Sequence, residues 1–242
     1  MKVVIYGGNG MLGPHVVKAL SGHVDMRVTD LAPFETPHEM RVVDVADPDA
    51  VMRAAEGMDA IINLSVLRPH RKIAFDVNTL GHYNVMRAAV KHGIRRVINT
   101  GPHFTVQGRS YTGYDYHIAP DVPPQPSTNL YALSKGLGQE IGRIFSAHYD
   151  LYVLCYLFFN FRDPENTGQG VSSFAVSWRD AGAAFLPGLK IPMARLPSRC
   201  EVFNIFTDMP HGRFSNEKAK RILGWQPIDL LETLYQKASG QA

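Results

Sequence analysis

Tyr131 and Lys135 stand four residues apart in the segment YALSK, so on a helix both side chains leave one face toward the same spot. A tyrosine acts as a base only after losing its proton. Its reference pKa is about 10, so operation near neutrality needs a shift of about 4 kcal/mol. An ammonium about 4 Å away, at an effective dielectric of about 20, supplies roughly that much. The pair therefore suits removal of a proton from a substrate hydroxyl, or its return to a carbonyl.

A second constellation lies at the start of the chain. In KVVIYGGNGMLGPHVVKAL, Gly7, Gly10 and Gly13 sit between a strand-like run and a helix-like run. Glycines there permit a tight turn and close approach of a pyrophosphate, and the helix N-terminus offers free amides and partial positive charge. Met11 and Leu12 lie inside this turn and are counted with the cofactor-binding residues. Asp30 ends the second strand, where a carboxylate can accept hydrogen bonds from both adenosine ribose hydroxyls. A 2′-phosphate would meet that negative charge, and Leu31, Ala32 and Pro33 offer no basic compensation. The expected cofactor is NAD rather than NADP.

The elements that must carry these residues alternate short apolar runs with amphipathic ones, the pattern of a parallel sheet with crossover helices. Strands are expected at Val3–Tyr6, Arg27–Asp30, Arg41–Asp44, Ala60–Leu64 and Arg96–Thr100, and helices at Pro14–Leu20, Pro48–Ala55 and Lys72–His92. Right-handed crossovers then give an α/β doubly wound parallel sheet, a Rossmann fold. A Pro- and Gly-rich stretch from Gly101 to Thr128 reads as a long loop bordering the site. A helix from Asn129 to His148 and a buried strand at Tyr152–Phe159 follow. Beyond them the sequence looks irregular, with one helix near Asn216–Leu223 closed by Gly224. One domain over residues 1–242 is expected, with residues from about 160 onward forming a small substrate lobe.

Composition narrows the partners. The chain has 25 basic and 22 acidic residues, a formal net charge of +3, and no basic stripe for a nucleic-acid backbone. Cys155 and Cys200 lack metal-ligand spacing, so neither a disulfide framework nor a metal site is expected. The first residues run straight into a strand with no signal-peptide pattern, and no segment has the length of a membrane span. A cytoplasmic protein is the expectation.

Taken together these features resemble the extended short-chain dehydrogenase/reductases, the NAD-dependent epimerase/dehydratase family, over nearly the whole chain. The resemblance implies that Asp44 and Val45 contact adenine, that Leu64 and Ser65 line the cofactor, and that Asn78, in DVNTLGHYNVMRAA, supports the catalytic lysine. It also matches FFN, where Asn160 would meet cofactor or substrate, and ILGWQP near the C-terminus. One position departs: the serine or threonine expected after the fifth strand falls on Pro102 or His103. Thr100, Thr105 or His103 is left to donate to the reacting oxygen, and imidazole both donates and titrates near neutrality.

The resemblance, with uronate dehydrogenases closest in length, implies a small acidic sugar as substrate, its carboxylate held by Arg162 and Arg179. Both arginines also have an acidic chain neighbour, Asp163 and Asp180, with which they could simply pair at the surface. A nucleotide-sugar epimerase or dehydratase is a second reading, disfavoured by the short stretch after Asn160. A non-catalytic NAD-binding regulator is a third, favoured only by the missing serine. A homodimer is expected through the helices Lys72–His92 and Asn129–His148, with Gly136, Gly138 and Gly142 as a small-residue face.

Overall fold

The computed structural model describes residues 1–68, 70–105, 116–165, 174–209 and 212–231. Seven strands form one parallel sheet in the order β3-β2-β1-β4-β5-β6-β9: β1 (Lys2–Tyr6), β2 (Asp25–Asp30), β3 (Glu39–Val42), β4 (Ala60–Asn63), β5 (Arg96–Pro102), β6 (Tyr152–Phe158) and β9 (Cys200–Asn204). A separate two-stranded ribbon pairs β7 (Phe161–Arg162) with β8 (Val176–Ser177). The order reverses between β1 and β4, which opens a crevice at their C-terminal ends.

Alternation along the central strands assigns each side chain to one layer. Val3 and Ile5 join Ile62, Ile98, Leu154 and Tyr156 on one face, covered by α1 (Gly13–Leu20), α6 (Trp178–Ala183) and α7 (Phe185–Lys190). Val4 and Tyr6 join Ile61, Val97 and Val153 on the other, covered by α2 (Pro48–Ala55) and α4 (Gly81–Lys91). Strands buried on both faces read as continuous apolar runs, which is why KVVIY and AIIN stand out in the sequence. The buried guanidinium of Arg96 donates to Gly188 O at 2.5 Å and Ile191 O at 2.6 Å, tying the end of α7 to β5.

The expected fold is present, with corrections at its edges. β3 runs over Glu39–Val42 rather than Arg41–Asp44, because this edge strand is only half covered and carries no clear alternation; Asp44 lies in the following turn and accepts from Ala46 N. The helix expected over Lys72–His92 is three segments, α3 (Arg71–Phe75), a π-helical turn (Asp76–Leu80) and α4. β5 reaches Pro102 and a 3-10 turn follows at His103–Thr105, so the long loop begins later than Gly101; its residues 106–115 lie outside the described set. The region after Phe159 is not irregular: it supplies β9, a short strand whose polar ends hid it. Gly224, at φ 72°, does close the late helical segment, and the last turn of that segment, Ala219–Leu223, is π-helical.

α5 (Leu130–His148) starts where the Asn129 side chain accepts from Tyr131 N and Ala132 N. Its buried stripe holds Lys135, Gly138 and Gly142, a helical spacing that faces inward. A Cβ on Gly138 would sit 2.5 Å from Asn78 O, one on Gly142 3.1 Å from His82 Nε2, and one on Gly136 3.1 Å from the Pro126 ring. The small-residue face is therefore filled within the chain, Gly138 and Gly142 by the π-helical turn and α4, and Gly136 by the Pro126 ring. Gly138→Ala is expected to lower the melting temperature by several degrees, a loss of about 1–3 kcal/mol, with a scanning-calorimetry profile unchanged from wild type marking the packing as slack.

Candidate active site

The glycine turn leaves β1 at the crevice. Gly7 has φ 77°, and a Cβ there would lie 2.9 Å from Ser65 N, so the turn lies directly against the chain leaving β4. Asn9, Gly10 and Met11 stand out of the turn, Met11 with 69 % of its surface exposed. Asp30 braces it: Oδ2 accepts from Asn9 N at 2.9 Å and Oδ1 from Leu31 N at 2.8 Å. Such an open turn at a helix N-terminus, with a carboxylate at the end of the neighbouring strand, fits a dinucleotide.

Ser65 is shared with the second half of the site. Its carbonyl accepts from Lys135 Nζ at 2.8 Å, and the same ammonium donates to Thr100 O at 3.1 Å. Lys135 thus joins the C-terminal ends of β4 and β5 from α5. Burial lowers its pKa to about 8; the Cys155 thiol opposes this slightly, and the Arg68 cation adds to it. Behind it His82 is also buried, and burial, with Lys135 second, pushes it down to about 3. It is a neutral ring in a polar trio, with Asn63 Nδ2 lying 3.2 Å from His82 Nδ1 and donating to Asn99 Oδ1 at 3.1 Å.

Tyr131 lies one turn before Lys135, half-buried. The cation against its ring is Arg68, whose guanidinium carbon is 5.0 Å from the ring centroid. Burial pushes the Tyr131 phenol up, and the charge and hydrogen bond of Arg68 pull it partly back. Lys135, which the sequence reading put in that role, is committed to two carbonyls. Asn78 is likewise not on the lysine through its side chain: Oδ1 accepts from Leu67 N at 3.1 Å, while Nδ2 donates to Leu67 O at 2.7 Å and to Ser134 Oγ at 3.0 Å. It fastens the β4 loop to α5.

The family pattern described as "NAD dependent epimerase/dehydratase family" matches residues 3–182. The chain belongs to that family. Its cofactor is accordingly NAD. Among relatives, it is similar to a uronate dehydrogenase of Pseudomonas syringae, 29% identical over 68% of this chain and 62% of that enzyme, and to an NAD-dependent glucose-6-phosphate dehydrogenase of Haloferax volcanii, 24% identical over 94% and 93%. The match thus spans less than two thirds of that uronate dehydrogenase's length. A solved glucuronic acid dehydrogenase from Chromohalobacter salexigens shares the fold with a TM-score of 0.82, 23% identity, and coverage of 100% of this chain and 89% of that one.

Other family positions are placed as follows. Leu64 is buried beside the turn, and Val45 packs against Gly81. Thr100 Oγ1 donates to Asn63 O and Thr105 Oγ1 to Pro102 O, so both hydroxyl protons are used by backbone. His103, 1 % exposed, packs among the rings of Phe159, Phe174 and Phe214. Asn160 adopts φ 54°, a left-handed turn that redirects the chain after β6. Arg162 donates to Phe161 O at 3.0 Å.

Arg179 needs correction as a substrate ligand. Its guanidinium grips Asp229 through Nε at 3.0 Å and through Nη2, and Ser177 Oγ donates to the same carboxylate at 2.6 Å. The neighbouring Asp180 accepts from Ile228 N and Asp229 N, so this fork fastens the chain after Gly224 to α6. Sequence reasoning also missed Arg68, Thr79, His82 and Ser134; only the position of Arg68 in the loop after β4 offered a signal. Among the described residues no cluster of metal-ligating side chains occurs, and no helix is long and apolar enough to cross a membrane.

The depressed lysine predicts a pH signature. Between about 8 and its ordinary value of 10.5, the unfolded chain holds a proton that folded Lys135 has lost. Stability of the native chain relative to Lys135→Met is therefore expected to rise across that window, by about 3 kcal/mol in all. Urea unfolding of both at pH 7, 9 and 10.5 reads the difference; a flat difference would mean the ammonium is not desolvated.

Proposed function

We propose that this chain is a dehydrogenase that oxidises a hydroxyl of a small free sugar acid, a uronate or close relative, with Tyr131 as the base. The observation that carries the reading is the meeting of two sites on Ser65, whose amide abuts Gly7 of the nucleotide turn and whose carbonyl holds Lys135. NAD held at this turn supplies the two-electron acceptor. Tyr131 takes the hydroxyl proton, and Lys135 fixes the crevice floor and reaches toward the nicotinamide ribose. Gly7, Gly10, Met11, Leu12 and Gly13 cradle the pyrophosphate, Asp30 takes the adenosine ribose, Asp44 and Val45 face adenine, and Leu64, Ser65 and Asn78 line or brace the nicotinamide end. Residues from about 160 onward form the substrate lobe, with Asn160 and Arg162 toward the sugar. His103, which follows β5 and packs among Phe159, Phe174 and Phe214, is the candidate donor to the reacting oxygen in place of the absent serine.

The names of the relatives, uronate and sugar-phosphate dehydrogenases, support an anionic sugar. The test is NADH formation with a panel of free uronates, neutral aldoses and nucleotide sugars. Uronates are expected to turn over with NAD preferred to NADP, and Tyr131→Phe is expected to lose at least about a hundredfold in turnover while retaining NAD binding. Activity confined to nucleotide sugars, or an undiminished Tyr131→Phe, would reject the reading.

We also propose a homodimer through the outward faces of the π-helical turn, α4 and α5, where Leu80, Tyr83, Leu137, Ile144 and Tyr149 are exposed apolar side chains. Light scattering is expected to give twice the chain mass at micromolar concentration. Ile144→Glu should shift it to monomer.

A further inference from the structure

We propose that Trp178 is a positioning residue that couples the helix of the NAD site to the substrate segment, stacking at once on His15 of α1 and on Phe161, the residue between Asn160 and Arg162. The ring centroids of His15 and Trp178 lie 5.1 Å apart with planes 16° from parallel. Those of Trp178 and Phe161 lie 4.3 Å apart at 7°, and Phe161 continues onto Phe158 of β6 at 5.6 Å and 29°. Near-parallel rings at such spacings attract beyond the area they bury. One ladder of four rings thus runs from the first turn of α1 to the end of β6. Its effect on substrate rests on the reading that residues 160 to 162 face the sugar, whereas its tie to α1 needs only the NAD site.

Each ring is carried by an element that bears on one of the two sites. His15 N donates to Leu12 O at 3.1 Å, so its ring rides on the end of the glycine turn itself. Phe161 is paired with Val176 across the β7–β8 ribbon, one residue after the left-handed turn at Asn160. Trp178 opens α6 directly behind that ribbon, where Ser177 Oγ accepts from Asp180 N at 3.0 Å and donates to Asp229. The helices α1 and α6 already meet without the indole: a Cβ on Gly182 would lie 2.5 Å from His15 O. Trp178 and His15 are only half-buried. Packing of the two helices therefore does not account for the indole, and its two faces serve the rings on either side.

Burial lowers the pKa of His15 from its ordinary value, with Lys18 of α1 adding to the fall and Asp163, after β7, opposing it. The imidazole is neutral at working pH, so the ladder is made of uncharged rings. When NAD occupies the glycine turn, the first turn of α1 loses freedom, and the positions open to His15, Trp178 and Phe161 narrow with it. Such coupling is reciprocal: the factor by which NAD tightens substrate binding is the factor by which substrate tightens NAD.

The chain holds two tryptophans, so 5-fluorotryptophan labelling of the full chain gives two ¹⁹F resonances. That of Trp178 is assigned by its loss in Trp178→Phe and followed while NAD alone is added. It is expected to move in step with NAD binding measured by calorimetry. In His15→Leu NAD should still bind while the movement falls by about half or more, and His15→Phe, which keeps a ring on α1, should restore it. With a sugar acid that turns over, Trp178→Leu is expected to raise KM about fivefold with kcat and the NAD Kd within about twofold of native, and Trp178→Phe to recover most of the loss. A Trp178 resonance unmoved at saturating NAD overturns the proposal, as does full movement in His15→Leu. Equal losses in KM, kcat and NAD affinity in Trp178→Leu would also overturn it, leaving Trp178 as packing alone. The ¹⁹F titration uses no substrate, so failure of the sugar-acid reading is distinguishable from failure of the coupling.

Discussion

A buried ammonium bridging two strand ends organises this crevice. Lys135 is 3 % exposed and pays for its lost hydration with two carbonyls, Ser65 O and Thr100 O. Each bond from a charged donor contributes about 1.5–3 kcal/mol, while desolvation of an ammonium costs several kcal/mol even after relaxation. The balance falls against the charge, which is why burial lowers the lysine's pKa to about 8. Much of the neighbourhood then has little freedom. α5 must come close enough for the side chain to reach, so Gly138 is pressed on Asn78 O; the chain leaving β4 must lie flat under the ammonium, so Gly7 is pressed on Ser65 N.

The π-helical turn serves the same end. In an α-helix consecutive residues point about 100° apart, so adjacent side chains seldom address one partner. Here Asn78 and Thr79 both reach Ser134, one at its hydroxyl and one at its carbonyl. The wider π winding allows that, and π turns inside helices concentrate at functional sites. The amphipathic pattern of Lys72–His92 averages over the insertion, so sequence periodicity describes a plain helix and cannot show where Asn78 points.

What was legible in the residues depended on range. Strands buried on both faces announce themselves as apolar runs, and the glycine turn needs only local geometry, so the central strands and the position of Asp30 followed from short windows. β9 did not, because CEVFN mixes a buried Glu201, paired with Lys218, with apolar residues. Tyr131 and Lys135 were found by spacing, yet spacing could not say which oxygen the ammonium would choose. That choice depends on two carbonyls, 70 and 35 residues away.

The arginines show the same limit and its consequence for specificity. Arg179 next to Asp180 looked like either a surface pair or a carboxylate fork, and it is neither: its partner Asp229 is 50 residues on. Asp180 meanwhile accepts two backbone amides, which a surface partner could not offer it. A guanidinium already paired in this bidentate way has little left for a ligand, because an incoming carboxylate would have to displace Asp229 and release the segment it holds. The guanidinium that does lie against the Tyr131 ring comes from the loop after β4, where Arg68 is 5.0 Å from the ring centroid. Lys135, tied to Ser65 O and Thr100 O, adds a second cation to the same crevice.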